Sequence, residues 1–401
     1  MRDAVRRWGA AALALSLAVQ ALEWVDWLTR RAPDGLNVVD LWDYGWAADS
    51  ATIQAAGSLV RAGGTLVRSP EAFLEALSGV VGYQVPPPAP KLLFTPMLGQ
   101  LTATFAELSQ LVGWLIVTSV GVALAVLALR KLGMSTAWIS LCLLFAPVAW
   151  ALRLGQLSII AAGIIGLVAH LRSRDQLHVV QGILGGLLVL KPQYAIGLAL
   201  LWVTDPRVHR RELSGAAATA AALIGISVLT APAAWSGYLT HVLESTDALE
   251  PGRLARHVTA RATFTLLAGA SLARAAWLAL AVVVVAGWRR FSRGVPASDR
   301  FVLAIGAGLL ISPYTFDYDL VILLVPAALL WRSRIHARPD VVALFGLVAA
   351  AVIAHRGVAF ATVLWFGGRS LLIAPIVIAA ALLVLRRLSV RAGAPSEPAA
   401  P

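Results

Sequence analysis

Three carboxylates, Asp40, Asp43 and Asp49, stand in a polar, aromatic stretch of an otherwise oily chain, and an acidic pair, Asp317 and Asp319, follows far downstream. Cations accompany them in unusual settings: Lys91 and Lys191 lie beside prolines, and Arg153 precedes Gly155-Gln156 between two apolar runs. A carboxylate can take the proton of an attacking hydroxyl, while a fixed cation stabilises negative charge developing on a leaving oxygen. Asp49 is the first choice for such a base. For any single residue of this set the plain alternative is a salt bridge tying loops together.

The elements that must position these groups are membrane spans. Of 401 residues, 59% are hydrophobic and only 13% charged, and the mean hydropathy is +0.78, which excludes a soluble globular domain. A net charge of +12 would suggest nucleic acid in a soluble protein. Here the basic residues fall in short clusters between apolar runs, so they set topology and imply no nucleic-acid partner. The single cysteine, Cys142, sits in an apolar run and reads as a structural thiol.

Arg2, Arg6 and Arg7 precede a first apolar run at 8–27, read as a retained span rather than a cleaved signal, with the N-terminus in the cytoplasm. The polar insert at 28–108 then forms a long first outer loop, in which 50–61 and 70–77 have the spacing of short amphipathic helices on the membrane surface. Further spans are expected near 109–130, 135–152, 157–173, 214–233, 270–288, 299–314, 318–334, 339–355 and 370–386, with a second outer loop at 235–263. Arginine pairs at alternate ends give cytoplasmic termini and a disordered tail at 392–401. The run 179–203 is long enough for one span, yet basic clusters flank both its ends and Lys191-Pro192 interrupts its middle. A re-entrant hairpin with Lys191, Pro192 and Gln193 at its tip satisfies the charge pattern; a kinked single span is the alternative. The fold class is thus an all-α polytopic membrane protein of about ten spans plus a broken hairpin, forming one transmembrane domain over 1–391.

Several stretches resemble glycosyltransferase family 87. Asp49-Ser50-Ala51-Thr52-Ile53-Gln54, with Gly63 and Pro70-Glu71-Ala72-Phe73 after it, looks like that family's first outer loop. Tyr83-Gln84-Val85-Pro86-Pro87 is similar to its Tyr-x-x-Pro-Pro element, Leu154-Gly155-Gln156 to its Gly-Gln motif, and Leu190-Lys191-Pro192 to its Lys-Pro hairpin. Ser312-Pro313-Tyr314-Thr315-Phe316-Asp317-Tyr318-Asp319 resembles its Ser-Pro-aromatic-acidic element. Ser50 stands where an aromatic is usual, and Asp319 where some members carry histidine.

The resemblance implies a GT-C type membrane fold and a mannosyltransferase-like enzyme that moves a sugar from a polyprenyl phosphate to a glycolipid or glycan. Arabinofuranose is the alternative sugar. A single displacement would invert the anomeric carbon, with Asp49 as base and Lys191, Arg153 and Lys91 facing the donor phosphate. Tyr83, Gln156, Gln193, Asp317, Asp319 and His257 are the expected substrate contacts. For Asp317 a helix cap is the alternative account, and His257 reads first as an ordinary exposed loop histidine. No metal or cofactor is expected beyond the lipid-linked sugar itself. The expected site is the outer face of a bacterial plasma membrane. A lipid or solute transporter is the reading from a different class, since broken helices with charge at mid-membrane are used for transport too.

Overall fold

The computed structural model describes residues 48–63, 70–81, 95–104, 107–142, 144–235, 257–333 and 373–393, with isolated positions elsewhere. Among them every element is helical, apart from one isolated antiparallel bridge between His257 and Phe316. Three helices lie over the first outer loop: α1 (Ala48–Arg61), α2 (Pro70–Val81) and α3 (Pro96–Ala103). Next come α4 (Gln110–Lys131), a pair bent by 68° made of α5 (Thr136–Cys142) and α6 (Ala146–Leu154), and α7 (Ser158–Ser173). The broken hairpin contains α8 (His178–Leu187) and α9 (Ile196–Val203), joined through 3-10 turns at Leu188–Leu190 and Pro192–Ala195. Beyond it run α10 (Arg210–Thr230), α11 (Ala260–Ala268), α12 (Ala270–Phe291) and α13 (Ala297–Ile311). A 3-10 segment (Asp317–Leu323) leads into α14 (Leu324–Ser333), and α15 (Ile373–Gly393) closes the described chain.

Long apolar runs make α4, α10 and α12 long enough to cross a membrane, and the α5–α6 pair gives a fourth crossing if it is counted as one broken span. Only 6% of the apolar window of α12 is buried, so its apolar surface faces outward, as a helix in contact with lipid requires. Of the remaining expected spans, 157–173, 299–314 and 318–334 are shorter helices, 370–386 falls mostly on α15, and 8–27 and 339–355 lie partly or almost wholly outside the described residues.

The run 179–203 is a hairpin. Gly185 of α8 faces the ring of Trp202, close enough that a Cβ on Gly185 would lie 2.5 Å from the ring edge. Seventeen residues of continuous helix would hold these two apart by about 25 Å at 1.5 Å per residue. The buried carboxylate of Glu212 clasps the two hairpin ends, with Oε1 3.0 Å from His178 Nδ1 and 3.4 Å from His209 Nδ1. Burial and the Arg172 guanidinium push His209 below the ordinary imidazole range, against the opposing pull of Glu212. Both ends of the hairpin therefore lie at the arginine-rich end of the bundle, and the tip lies at the other.

Helix α9 fits against α13 at backbone distance. A Cβ on Gly308 would come 2.5 Å from Gly197 N and 2.6 Å from Gly197 Cα, and one on Gly197 would meet Ile305 Cα at 2.8 Å. Neither contact can be relieved by a rotamer change, so Gly308→Ala is expected to cost about 1–3 kcal/mol by overpacking. Its melting temperature in detergent should fall, while Gly287→Ala, which meets open space, should leave it unchanged.

The loop helices form a layer over the hairpin tip. α1 buries Ala51, Ile53, Ala55 and Ala56 with Phe73 and Leu77 of α2 and Leu98 of α3. Thr102 Oγ1 donates to Ile53 O at 3.0 Å, and Gln54 Nε2 donates to Ser109 O at 3.4 Å, just before α4. Thr95, which precedes α3, donates from Oγ1 to Leu190 O at 2.8 Å. That bond satisfies a carbonyl freed by the broken hairpin, and it fixes the helix layer that carries Asp49 to the tip that carries Lys191.

Candidate active site at the hairpin tip

Pro192 has no backbone N–H to donate and biases the residue before it away from helical geometry. Lys191 accordingly adopts φ −142° and ψ 81° between the two 3-10 turns. The residue is only 6% exposed. The ammonium donates to Gln156 Oε1 at 3.2 Å and faces Asp319 Oδ1 at 3.6 Å. It also lies 4.9 Å from the centroid of the Tyr194 ring and 5.7 Å from that of Tyr318, within reach of cation–π attraction.

Gln156 is delivered by the corner between α6 and α7. Gly155 closes α6 in the left-handed conformation, φ 69° and ψ 45°, which glycine adopts without steric cost. The Gln156 N–H then donates back to Ala151 O at 2.9 Å, and Arg153, half-buried, occupies the last turn of α6.

Asp319 is fully buried and organises the third strand of chain at the site. Its Oδ2 accepts from Phe316 N–H at 3.0 Å, capping the 3-10 segment, while Oδ1 accepts from the Tyr194 hydroxyl in a short hydrogen bond. Asp317 Oδ1 accepts from Tyr318 N–H at 2.9 Å, a local contact of the capping kind. His257 is buried beside this turn: Val258 N–H donates to Thr315 O at 2.8 Å, and the imidazole lies 4.1 Å from the Phe316 ring. The end of the second loop is thereby tied to the acidic turn.

One side chain stands out as available. Gln193, at the tip and only 3% exposed, has a hydrogen-bond partner for neither amide atom among the described residues. A buried amide without partners is costly, and a polar ligand would satisfy it.

The structure thus gathers Lys191, Gln156 and Asp319 into one bonded cluster, with Asp317 two residues before Asp319, Gln193 two residues after Lys191, and His257 laced to the turn that carries Asp319. Asp49 falls in the first turn of α1, but its side chain is outside the described residues, as are Tyr83 and Lys91 altogether. Tyr194 is the member that the sequence reading passed over. Its signal was its place three residues after Lys191, in the same short turn. A Lys–Asp pair this dry gains little net stability over apolar packing of the same volume, because both charges lose water. Its presence points to chemistry.

A buried Lys–Asp pair held by an amide and a tyrosine, in a chain with helices long and apolar enough to cross a membrane, defines a buried polar site in a membrane protein. The chain belongs to glycosyltransferase family 87, whose family model matches residues 86–313, more than half of its length. That match spans Gln156, Lys191, Gln193 and His257, begins after Asp49 and ends before Asp317. No curated protein and no solved structure matches the chain.

Proposed function

We propose that this membrane glycosyltransferase moves mannose from a polyprenyl-phosphate donor to a hydroxyl of a glycolipid or glycan at the outer face of a bacterial plasma membrane, inverting the anomeric carbon. The observation that supports it best is the buried Lys191–Asp319–Tyr194–Gln156 cluster at the tip of a hairpin, in a chain of this family. In the reaction the acceptor oxygen bonds to the anomeric carbon as the bond from that carbon to the phosphate oxygen breaks. The acceptor proton passes to Asp49, and polyprenyl phosphate departs with the bonding electrons.

Lys191 suits the phosphate. An ammonium has three N–H donors, of which Gln156 accepts one and Asp319 faces another, so one remains for a phosphate oxygen. Arg153, and Lys91 from the loop, are the further cations of this reading. Gln193 would donate to and accept from sugar hydroxyls, as would Tyr83 and His257. Asp317 and Asp319 hold the turn against which the acceptor lies. The GT-C type fold, with both termini in the cytoplasm and the tip facing out, follows from the same reading.

The test is transfer of radiolabelled mannose from synthetic polyprenyl phosphomannose to lipids in membranes with and without the protein. Labelled product only where the protein is present is the expected result. Arabinosyl transfer from the corresponding donor, without mannosyl transfer, would correct the sugar. Transfer from neither donor would overturn the proposal.

A further inference from the structure

At the end of the bundle opposite Lys191 there is a polar cleft of about 810 Å³. It lies where α9 ends, α12 ends and α13 begins, and Arg289, Arg290, Arg293 and Arg300 line it together with Asp205 and His209. Topology alone accounts for arginines at this end of a membrane protein, and it asks only that they lie in the flanking loops. It does not ask that four converge on one concavity. Among the described residues the carboxylates near them are few: Asp205 comes within 3.8 Å of Arg289, Asp299 is buried, and Glu212 is engaged with His178 and His209.

Arg300 is the most informative member. One Nη donates to Val295 O at 3.2 Å, which holds the guanidinium in place, while its Nε is buried and without a hydrogen-bond partner among the described residues. A fixed guanidinium with an unsatisfied donor matches the oxygens of a phosphate group, which several arginines can chelate in pairs of parallel hydrogen bonds. Ser292 and Thr204 line the same space.

We propose that this cleft binds a phosphate-bearing anion, and its place at the end of the apolar helices favours the headgroup of an anionic phospholipid. The site is separate from the hairpin tip: the fifteen residues of α13 stand between them, a length of about 22 Å at 1.5 Å per residue. Binding here does not depend on the transfer reaction.

The experiment uses the full chain in detergent, titrated with short-chain phosphatidylglycerol, with phosphatidylcholine, and with inorganic phosphate and pyrophosphate. Melting temperature and lipid retention in native mass spectrometry are the readouts. Phosphatidylglycerol is expected to raise the melting temperature and stay bound, and phosphatidylcholine to do neither. Arg293→Gln alone should weaken apparent affinity several-fold, and Arg293→Gln with Arg300→Gln by tenfold or more. Lys131→Gln with Arg174→Gln, exposed basic residues of the same end outside the cleft, should leave it unchanged. Saturation by phosphate or pyrophosphate without preference for the lipid would identify a soluble ligand at the same site. Equal phosphatidylglycerol binding by wild type and both cleft variants, or equal loss in the Lys131/Arg174 control, would overturn the proposal.

Discussion

Asp49→Asn is expected to lower sugar transfer by about 10²–10⁴-fold, the usual contribution of a positioned general base, while the protein still folds and inserts. Asparagine keeps the size of the side chain but cannot hold the acceptor proton. The change also removes a negative charge from the first turn of α1, where it favours the helix dipole by about 0.3–1 kcal/mol. A small drop in melting temperature should therefore accompany a large drop in rate. The core of α1 is built from Ala51, Ile53, Ala55 and Ala56, which the substitution leaves alone. Asp40→Asn, in a segment outside the described residues, is expected to cost far less. Parallel rates from radiolabelled donor decide the matter, and equal transfer by wild type and Asp49→Asn would move the base to Asp40, Asp43 or Asp319.

The second large effect concerns the buried pair. Lys191→Ala leaves Asp319 as an uncompensated carboxylate with no exposure, and breaking a buried pair in this way costs about 3–5 kcal/mol. Loss of transfer in that variant alone would not separate chemistry from folding. Lys191→Met with Asp319→Asn does separate them. The double variant removes both charges, and the asparagine Oδ1 can still accept from Phe316 N–H while its amide N–H donates to the Tyr194 hydroxyl oxygen. Thermal stability is expected to return close to wild type in the double variant, whereas transfer stays low because the donor phosphate meets no ammonium. A double variant with wild-type rate would remove Lys191 from the reaction.

Some of the helices were legible because they rest on a local signal. The apolar run at 109–130 and the helix Gln110–Lys131 nearly coincide, and Lys191-Pro192 marked the hairpin because a proline breaks or kinks a helix and basic clusters flank both ends of the run. Contacts between distant segments left no such mark. Tyr194 and Asp319 are 125 residues apart in sequence, so nothing local announced that a hydroxyl from the hairpin would meet a carboxylate from the acidic turn. The arginine cleft stayed hidden for a related reason. Each of its arginines was already explained, one cluster at a time, by the side of the membrane on which it falls, and only the packing of α9, α12 and α13 shows that they share a space. The pairing of Lys191 was likewise invisible: the sequence offered a lone cation, and the structure supplies its counter-ion.

The glycine contact between α9 and α13 also bears on how the protein meets bilayers of different thickness. Sliding either helix along the other by one residue would drive a side chain into backbone, so their relative height is set by steric register. Hydrophobic mismatch, which shifts or tilts helices at a fraction of a kcal/mol per Å, is too weak to overcome that. The long lipid-facing helices α4, α10 and α12 are left to absorb it by tilting. The depth of the hairpin tip, and with it the separation of Lys191 from the acidic turn after α13, should stay constant from thin to thick membranes.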